Sequence, residues 1–392
     1  MKILVISSVI PSPIKENEND ILLKTADMHK HYKRDVEYSF VLVIPYANYL
    51  LSKISKRWHN YYKLRKQGTY LRGGYEVKVV GIPMYGNSVF RNLFFSRIGY
   101  YLNEKFLHKI ITDFRPDIIH AHNVLVDSVL AFMLSKRFSI PYIITDRSIY
   151  LYKESRLVVN RLRKASAVIS VNHRYKSITK DIIGKQKSHI IPHGIDQFFF
   201  DYNVDLNGTQ SIHKIVTICN LLKLKNIDKV FQALDRIGGN FIYDIYGSGP
   251  DSDRLEQILS QLSIKNKVQF KGYLNHNDVP KILSEYDLFV MPSYPENFGR
   301  VFVEAMAVGL PIIGAKGAGI DGYFENGYAG YFVNIDEENE LFEKLKLILS
   351  DQNMRKKMGE NAKKAAREFS WDIIIDKVDS LYNLSISQKL SI

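Results

Sequence analysis

Two glutamates, Glu296 and Glu304, stand eight residues apart in the stretch of the chain that is richest in residues able to do chemistry. An apolar run (LFVMP) enters a loop (SYPENFG), and a helical pattern (RVFVEAMAVG) leads into a second apolar run (PIIGA). Gly299 stands where the helix is expected to begin, and the unbonded N–H groups of a first helical turn attract anions. Two carboxylates beside an anion site suit a sugar nucleotide, because one can bind sugar hydroxyls and the other the ribose. The alternative is a solvated loop acid and a helix-surface charge.

The elements that must position these residues follow a regular rhythm. Short β-branched runs alternate with helical patterns, which predicts βαβ units and parallel sheets. Strands are predicted at 2–7, 36–43, 77–81, 117–121, 141–145, 167–171, 189–192, 214–219, 241–246, 267–272, 287–292 and 311–315. Helical spacing is clearest at 21–32, 100–114 and 127–138, and again after residue 336. The stretch 197–210 has no clear period, and we interpret it as a linker.

The predicted fold class is therefore α/β, with two Rossmann-like doubly wound domains in tandem. Two such domains joined by one linker are expected to face each other across a cleft. Ligands of open α/β sheets bind beyond the carboxyl ends of the strands, so the loops that follow the strands should carry the site.

Composition narrows the function classes. The 392 residues hold 54 Lys and Arg against 41 Asp and Glu, a net charge of +13, and one cysteine, Cys219. A single cysteine excludes a disulfide within the chain and a cysteine-based zinc site. We find neither an apolar run of 18 residues nor the pattern of a signal peptide, which favours a cytoplasmic location. Between Tyr38 and Asn103 ten basic residues accompany one acid, so an anionic partner is expected.

The most basic segment, Leu50–Arg72, holds seven cations and no acid, together with Trp58 and three tyrosines. Aromatic rings beside Lys and Arg suit a lipid headgroup interface, which predicts peripheral association with the inner face of a membrane. The residues expected to contact lipid are Lys53, Lys56, Arg57, Trp58, Lys63, Arg65 and Lys66. The alternatives are a solvated helix and a nucleic-acid partner, although the chain has no helix-turn-helix, zinc-finger or RRM signature.

The string ENFGRVFVEAMAVGLP at 296–311 resembles the E-x7-E signature of family 4 glycosyltransferases, whose two-domain architecture is called GT-B. Four further pieces are similar to motifs of that family and occur in its order. They are ASAVISV at 165–171, IPHGID at 191–196, YGSGP at 246–250 and KVQFKG at 267–272. The resemblance extends from residue 1 to about residue 380.

The resemblance implies a domain plan and a reaction. An N-terminal acceptor-side domain is expected at 1–193, a linker at 194–212, a C-terminal nucleotide-sugar-binding domain at 213–369 and a last helix at 370–392 that crosses back to the first domain. A sugar would pass from a nucleotide-sugar donor to an acceptor with retention at the anomeric carbon. The family usually needs no metal, and no cofactor is expected.

The resemblance also implies roles for single residues. Glu296 would bind donor-sugar hydroxyls and Glu304 the ribose. Lys225 falls on the lysine of a phosphate-binding pair, whereas Asn220 replaces the arginine of that pair, so that Lys223 or Arg300 would have to compensate. Glu296 and Lys225 are expected to act in catalysis. The donor-side residues together are Asn220, Lys225, Gly247, Leu274, Glu296, Asn297, Phe298, Gly299, Arg300 and Glu304.

The N-terminal half departs further from the family. The glycine-rich loop that often follows the first strand is replaced by 11–20 (PSPIKENEND), which has no glycine. Arg147 stands where the family often has a histidine; it cannot act as a base near neutral pH but can bind an acceptor phosphate. Asp146 is then the nearer proton acceptor. His122 ends another strand and is expected to reach the cleft, the alternative for His120 and His122 being a core or loop histidine.

The string Asp251-Ser252-Asp253 spells D-x-D, which binds metal in other transferases. Here it opens a helix after Gly-Ser-Gly-Pro, so we interpret these acids as helix caps.

The family resemblance implies a glycosyltransferase that builds a cell-surface polysaccharide or glycolipid, and the basic segment predicts that it is associated with a membrane. Its partners would be a nucleotide-sugar donor, a lipid-linked or glycan acceptor and an anionic membrane surface, without nucleic acid. One alternative is a nucleotide-sugar epimerase of the same architecture, which needs no acceptor. Another is a non-catalytic nucleotide-binding scaffold, which Asn220 and Arg147 motivate.

Overall fold

The computed structural model describes residues 1–14, 20–83, 89–148, 153–205 and 212–388. The chain divides into two compact units. Unit 1 comprises Met1–Val171, Tyr175–Ile191 and Ile375–Ile392, and unit 2 comprises Asn172–Arg174 and Pro192–Ile374. Positions 15–19 of the glycine-free loop and 206–211 of the predicted linker lie outside the described residues.

Unit 1 is built on an eight-stranded sheet. Its strands are β1 Lys2–Ser7, β2 Glu37–Pro45, β3 Thr69–Arg72, β4 Tyr75–Ile82, β5 Ile118–Ala121, β6 Tyr142–Asp146, β7 Ala167–Ser170 and β8 Ser188–Ile190. They lie in the order β3-β4-β2-β1-β5-β6-β7-β8, and every pair of neighbours is parallel except β3 and β4. The helices before and within this sheet are α1 Ile21–Tyr32, α2 Tyr49–Ser52, α3 Lys56–Gln67, α4 Val89–Leu102, α5 Glu104–Phe114, α6 Val126–Phe138, α7 Arg156–Lys164 and α8 His173–Ile183.

Unit 2 is built on a six-stranded, wholly parallel sheet. Its strands are β9 His213–Ile218, β10 Phe241–Tyr246, β11 Val268–Gly272, β12 Leu288–Val290, β13 Ile312–Ala315 and β14 Gly330–Val333, in the order β11-β10-β9-β12-β13-β14. The remaining helices are α9 Ile227–Ile237, α10 Ser252–Ser260, α11 Val279–Leu283, α12 Arg300–Ala307, α13 Glu338–Ser350, α14 Gln352–Ala366 and α15 Trp371–Ser387. Helix α15 begins in unit 2 and ends in unit 1.

Each unit has its own hydrophobic core between the sheet and its covering helices. In unit 1 the apolar face of α6, with Leu130 and Leu134, packs with Ile6 of β1 and Ile119 of β5. In unit 2 the corresponding contacts join α9 to strands β9, β10 and β12. The central strands are apolar along nearly their whole length because helices cover both faces of a doubly wound sheet.

The strand order reverses once in each sheet, between β1 and β5 in unit 1 and between β9 and β12 in unit 2. At such a switch point the loops after the two strands run in opposite directions and open a crevice at the carboxyl ends. This is where a doubly wound sheet binds ligands, so two positions in the chain qualify, one per unit.

The α/β prediction with two doubly wound domains is confirmed, and the structure adds detail that the sequence patterns missed. Strand β3 is antiparallel because it forms a hairpin with β4 through Gly73 and Gly74, both at positive φ. The helix predicted at 100–114 is interrupted at Asn103, whose side-chain amide donates to the carbonyls of Gly81 and Gly99. The predicted linker begins with a 3-10 turn whose Phe199 is completely buried, so this part of the linker is packed.

Candidate active site

Lys225 and Glu296 form a hydrogen-bonded ion pair at the switch point of unit 2. Nζ of Lys225 lies 2.6 Å from Oε2 of Glu296, and the hydroxyl of Ser293 donates to the same oxygen at 2.8 Å. Each charged side chain keeps only 14 % of its surface exposed. Lys225 ends the 3-10 turn after β9, and Glu296 lies in the loop after β12. Because β9 and β12 are neighbours in the sheet, their carboxyl ends bring the two side chains together.

Backbone contacts hold these two loops in place independently of the ion pair. The N–H of Tyr294 donates to the carbonyl of Leu224 at 2.8 Å. The side-chain amide of Asn226 donates to the carbonyl of Pro292, also at 2.8 Å. Asn226 has a φ of +54°, a left-handed conformation that asparagine tolerates better than most residues. The ammonium and the carboxylate therefore meet in a preformed arrangement.

Gly299 lets the loop turn tightly into α12. Its φ is +70°, and a Cβ at this position would lie 2.7 Å from Cδ2 of Phe302 and 3.3 Å from Cγ of Glu296. The N–H of Asn297 donates to Oε1 of Glu296 at 3.1 Å, and the N–H of Gly319 donates to its carbonyl at 3.0 Å. The sharp turn thus places a carboxylate directly before the N-terminus of a helix, whose unbonded N–H groups favour an anionic ligand.

Glu304 is buried in α12 with 6 % of its surface exposed. Oε1 of Glu304 accepts a hydrogen bond from Nη2 of Arg300 at 3.3 Å, one helical turn away. A buried carboxylate needs such a partner because burial of an unpaired charge costs several kcal/mol. The two glutamates of the E-x7-E string thus belong to one loop–helix segment, and each is paired with a cation.

The loops after β9 and β10 pack backbone against backbone. A Cβ on Gly247 would lie 1.8 Å from the carbonyl oxygen of Cys219, and one on Gly249 would lie 2.2 Å from that of Leu221. The N–H of Leu221 donates to the carbonyl of Ser248 at 3.0 Å. Both glycines are therefore required by close backbone approach.

The remaining donor-side residues of the sequence prediction follow the strands as expected. Asn220 and Lys223 are exposed after β9, Leu274 is half-buried after β11, and Phe298 is buried between Asn297 and Gly299. Their roles stay predictions. Ser293 also belongs to the site and was not predicted from the sequence; its position three residues before Glu296 is a local signal that could have indicated it.

The switch point of unit 1 carries a second polar cluster. Asp127, in the first turn of α6, is completely buried, and its Oδ2 accepts hydrogen bonds from N and Oγ of Ser8 at 3.1 and 3.3 Å. Ser8 directly follows β1. Burial raises the pKa of Asp127 from 3.8 to about 7, against the opposing effect of the Ser8 hydrogen bonds and the charge of Arg147. Neither Asp127 nor Ser8 was singled out from the sequence.

Arg147 follows β6 in the same unit. Its Nε and Nη2 are buried, and neither has a hydrogen-bond partner within the part of the chain that the structure describes. Burial lowers the pKa of Arg147, while the charge of Asp127 acts in the opposite direction.

Asp146 is the last residue of β6, and His122 directly follows the neighbouring strand β5. Oδ1 of Asp146 accepts the N–H of Ser148 at 2.9 Å, and the side chain is completely buried. The ring of His122 packs on that of His120, with 3.9 Å between centroids. Their expected catalytic roles stay predictions.

His120 fits the core alternative. Its two ring nitrogens lie 2.7 Å from the hydroxyls of Tyr382 and Thr145. Burial, with a smaller effect of Arg147, lowers the pKa of His120 to about 3, so the ring stays neutral at physiological pH.

Asp251, the first acid of the D-x-D string, forms an ion pair instead of a cap. The carboxylate of Asp251 accepts two hydrogen bonds from Arg254, both at 2.7 Å, and it caps no N–H group. The capping prediction is wrong for Asp251, because a guanidinium one turn along the helix offers a bidentate partner. Over the described ranges, no group of three or more His, Cys, Asp and Glu side chains is arranged to hold a metal ion.

The basic segment Leu50–Arg72 folds into α2, α3 and β3. Its exposed cations are Lys53, Lys56, Arg57, Lys63, Lys66 and Arg72, and the first five of them belong to the predicted lipid contact. Arg65 differs from them, because its Nε donates to the carbonyl of Ala47 at 3.0 Å and its guanidinium stacks on Tyr46. Trp58 is half-buried against Tyr61. No helix in the described ranges has the length and apolarity needed to cross a bilayer.

Family models match both halves of the chain. The model "Glycosyl transferases group 1" matches residues 209–365, and "Glycosyltransferase Family 4" matches residues 68–197. Together with the two doubly wound units and the E-x7-E segment, they place the chain in the family 4, group 1 glycosyltransferases, and its fold is GT-B.

Similar proteins are found among both sequences and solved structures. N-acetyl-alpha-D-glucosaminyl L-malate synthase of Bacillus anthracis is 23 % identical over 342 residues, which cover 79 % of this chain and 89 % of that protein. The putative teichuronic acid biosynthesis glycosyltransferase TuaC of Bacillus subtilis is 25 % identical and covers 83 % of each chain. The structure of Anabaena HepE in complex with UDP has a TM-score of 0.72 at 20 % identity, over 97 % of this chain and 99 % of that chain.

Proposed function

We propose that this glycosyltransferase moves a sugar from a nucleotide-sugar donor to a lipid-linked or glycan acceptor, with retention at the anomeric carbon, in the synthesis of a cell-surface polysaccharide. The observation that carries the proposal is the Lys225–Glu296 pair at the switch point of unit 2. A cation, a carboxylate and a helix N-terminus meet there, and these are the groups that a sugar diphosphate requires.

Each group has a separate task in this reaction. Lys225 neutralises the charge that grows on the departing diphosphate, a type of stabilisation that is often the largest single contribution to catalysis. Glu296 accepts hydrogen bonds from hydroxyls of the donor sugar, and the N–H groups at the start of α12 assist. Glu304 accepts hydrogen bonds from the ribose. The pairing at 2.6 Å keeps Lys225 and Glu296 in position before the donor arrives.

The names of the similar proteins support this direction. One solved structure with the same fold holds UDP, and one relative is named for the biosynthesis of teichuronic acid. We propose that no metal is needed, because Lys225 and the helix N-terminus supply the positive charge at the diphosphate. Activity should therefore survive treatment with EDTA.

The test begins with a thermal-shift screen of the purified protein against UDP-, GDP- and ADP-sugars. The donor that binds is then incubated with candidate acceptors, and release of nucleoside diphosphate is measured, with proton NMR of the first-formed anomer to report stereochemistry. We expect diphosphate release and an unchanged anomeric configuration. Inversion would contradict retention, and failure of every donor to bind would contradict the assignment of unit 2.

The same experiment separates the two alternatives. An epimerase would change the donor sugar without any acceptor. A scaffold would bind the nucleotide and consume no donor.

Variants of Glu296 and Glu304 test the donor site directly. Glu256→Ala is their matched control, because Glu256 is an exposed glutamate on a helix of the same unit.

We further propose that the exposed cations of the basic segment hold the enzyme at the cytoplasmic, anionic face of a membrane. Leu50 and Ile54 are 73 % and 70 % exposed beside Lys53, so apolar and basic groups share this surface. That combination suits a headgroup interface better than a nucleic-acid backbone, which offers no apolar layer.

A further inference from the structure

The guanidinium of Arg147 presents one complete hydrogen-bonding edge without a partner. Nε and Nη2 share one edge of the planar guanidinium, and these are the two nitrogens that lie buried without a hydrogen-bond partner among the described residues. Through this edge an arginine can bind two oxygens of a carboxylate or phosphate with two parallel hydrogen bonds. Buried donors in a folded protein almost always have a partner, and a charged donor left unbonded is especially costly.

The position of this edge in the fold is that of a ligand site. Arg147 directly follows β6, and Asp127 and Ser8 lie at the switch point between β1 and β5, next to β6 in the sheet. The crevice at the carboxyl ends of these strands is the place where a doubly wound sheet binds ligands. Unit 2 uses the equivalent crevice for the Lys225–Glu296 pair.

Asp127 does not satisfy Arg147. Its Oδ2 is held by Ser8, its Oδ1 is buried without a hydrogen bond in the described part of the chain, and no hydrogen bond joins it to Arg147. Because burial raises the pKa of Asp127 to about 7, a large share of these carboxyls is protonated at neutral pH. In its protonated form Asp127 can donate a hydrogen bond to a bound oxyanion. An ionised Asp127 would instead attract the guanidinium of Arg147 and compete with the oxyanion.

We propose that the crevice of unit 1 is an oxyanion subsite. In it, Nε and Nη2 of Arg147 bind a phosphate or carboxylate of the acceptor that receives the sugar. This inference rests on the proposed function, since it narrows the acceptor class of the same enzyme. The acceptor therefore carries a negatively charged group. Arg147 acts in binding and positioning and takes no part in the transfer chemistry.

Three small anions test the subsite on the full-length protein by isothermal titration at constant ionic strength, with chloride as the reference. Methyl phosphate represents a phosphomonoester, dimethyl phosphate represents the diester of a lipid headgroup, and malonate represents a dicarboxylate. We expect at least one of them to bind more tightly than chloride. Binding of the diester alone would identify a lipid-linked phosphate, and binding of the monoester or malonate would identify a free anionic acceptor.

Variants assign the binding to Arg147. Arg147→Gln should weaken it at least about tenfold, and Arg147→Lys nearly as much, because lysine carries the charge without the planar fork. Arg137→Gln is the matched control, since Arg137 is an exposed arginine of the same unit, and it should leave the affinity unchanged. Lys225→Ala should also leave it unchanged, which excludes the phosphate site of unit 2 as the source.

Asp127→Asn keeps the hydrogen-bonding shape and removes the competing charge, so it should bind the anion as tightly as the wild type or more tightly. This variant also decides the matter if Arg147→Gln fails to fold. Weaker binding in Asp127→Asn, wild-type affinity in Arg147→Gln, or no anion binding above chloride would each overturn the proposal. If the wild-type protein binds the small anion but no nucleotide-sugar, the result counts against the proposed function and not against the oxyanion subsite.

Discussion

The ammonium of Lys225 lies 2.6 Å from a carboxylate oxygen of Glu296, and the two residues follow adjacent strands on either side of the strand reversal in unit 2. The residue predicted to bind a phosphate and the residue predicted to bind a sugar are thus hydrogen-bonded to each other. The pair limits the mobility of a long lysine side chain and of a loop carboxylate before a donor binds. Such preorganisation lowers the entropic cost of reaching the reactive geometry.

Glu304 and Glu296 should separate nucleotide binding from turnover. Glu304→Ala should weaken the binding of the free nucleoside diphosphate by at least about tenfold, since a hydrogen bond to a charged group contributes about 1.5–3 kcal/mol. Glu296→Ala should leave that affinity nearly unchanged and lower turnover. Isothermal titration and donor consumption give the two readouts, with Glu256→Ala as the control. The reverse pattern would exchange the two roles.

Gly299→Ala should damage the site more than its backbone angle alone explains. Gly299 and Gly272 have nearly equal φ values, +70° and +71°, but an added Cβ meets Phe302 and Glu296 at Gly299 and nothing within 4 Å at Gly272. Gly272→Ala should therefore cost about 1–2 kcal/mol of stability from the left-handed backbone. Gly299→Ala should cost more in urea unfolding and also reduce turnover. If both variants lose the same free energy of unfolding and Gly299→Ala keeps its turnover, the added Cβ at Gly299 does not disturb the site.

Because the pKa of Asp127 is raised, we expect the stability of the folded protein to fall as the pH rises. Its pKa of about 7 in the folded state exceeds the ordinary 3.8, so between these pH values the folded protein keeps a proton that the unfolded chain has released. The contribution of this group to the free energy of unfolding therefore falls as the pH rises from about 4 to 7 and stays low above 7. Asp127→Asn should gain about 2–3 kcal/mol relative to wild type between pH 5 and pH 8.

Urea unfolding at the two pH values measures this gain, with the exposed Asp113→Asn as the control. An equal effect of Asp127→Asn at pH 5 and pH 8 would show that the carboxyl is ionised throughout.

Charge removal on the basic segment should abolish membrane binding. The protein should co-sediment with phosphatidylglycerol vesicles but not with neutral phosphatidylcholine, and the binding should fade with salt as the Debye length falls from about 10 Å at 0.1 M to about 3 Å at 1 M. Glutamine at Lys53, Lys56, Arg57, Lys63 and Lys66 should remove it, whereas Arg65 is kept because it packs inside unit 1.

The control places glutamine at five exposed lysines of unit 2, Lys265, Lys346, Lys356, Lys357 and Lys364. It loses the same charge and should still sediment. If both variants lose binding equally, net charge rather than this surface is responsible.

The fold was predictable because apolar periodicity reports burial directly. Strands such as β1 and β10 were placed to the residue, since each is an apolar run between turn signals. Strand β3 was missed because it is a short edge strand of mixed polarity, paired through a two-glycine turn. The break at Asn103 was missed because no proline or glycine stands at that position. The side chain of Asn103 instead forms hydrogen bonds to two carbonyls there.

The site was predictable only in part. The E-x7-E spacing located Glu296 and Glu304, but no local pattern indicates that Lys225 contacts Glu296, because 71 residues separate them and the strand order brings them together. The cluster of Ser8, Asp127 and Arg147 is hidden for the same reason. A D-x-D string illustrates the opposite error, since a partner one turn away changed the role of Asp251.

The central claim is that Lys225 and Glu296 act together on a nucleotide-sugar donor, and a double-mutant cycle on turnover tests it most directly. Donor consumption is measured for wild type, Lys225→Ala, Glu296→Ala and the double variant, with Lys265→Ala as an exposed-lysine control. Lys225→Ala should lower turnover more than about 30-fold, which corresponds to about 2 kcal/mol of transition-state stabilisation. The double variant should lose much less than the product of the single effects, because each single change already breaks the pair. A change of less than about threefold in Lys225→Ala, or single effects that simply multiply, would contradict the account.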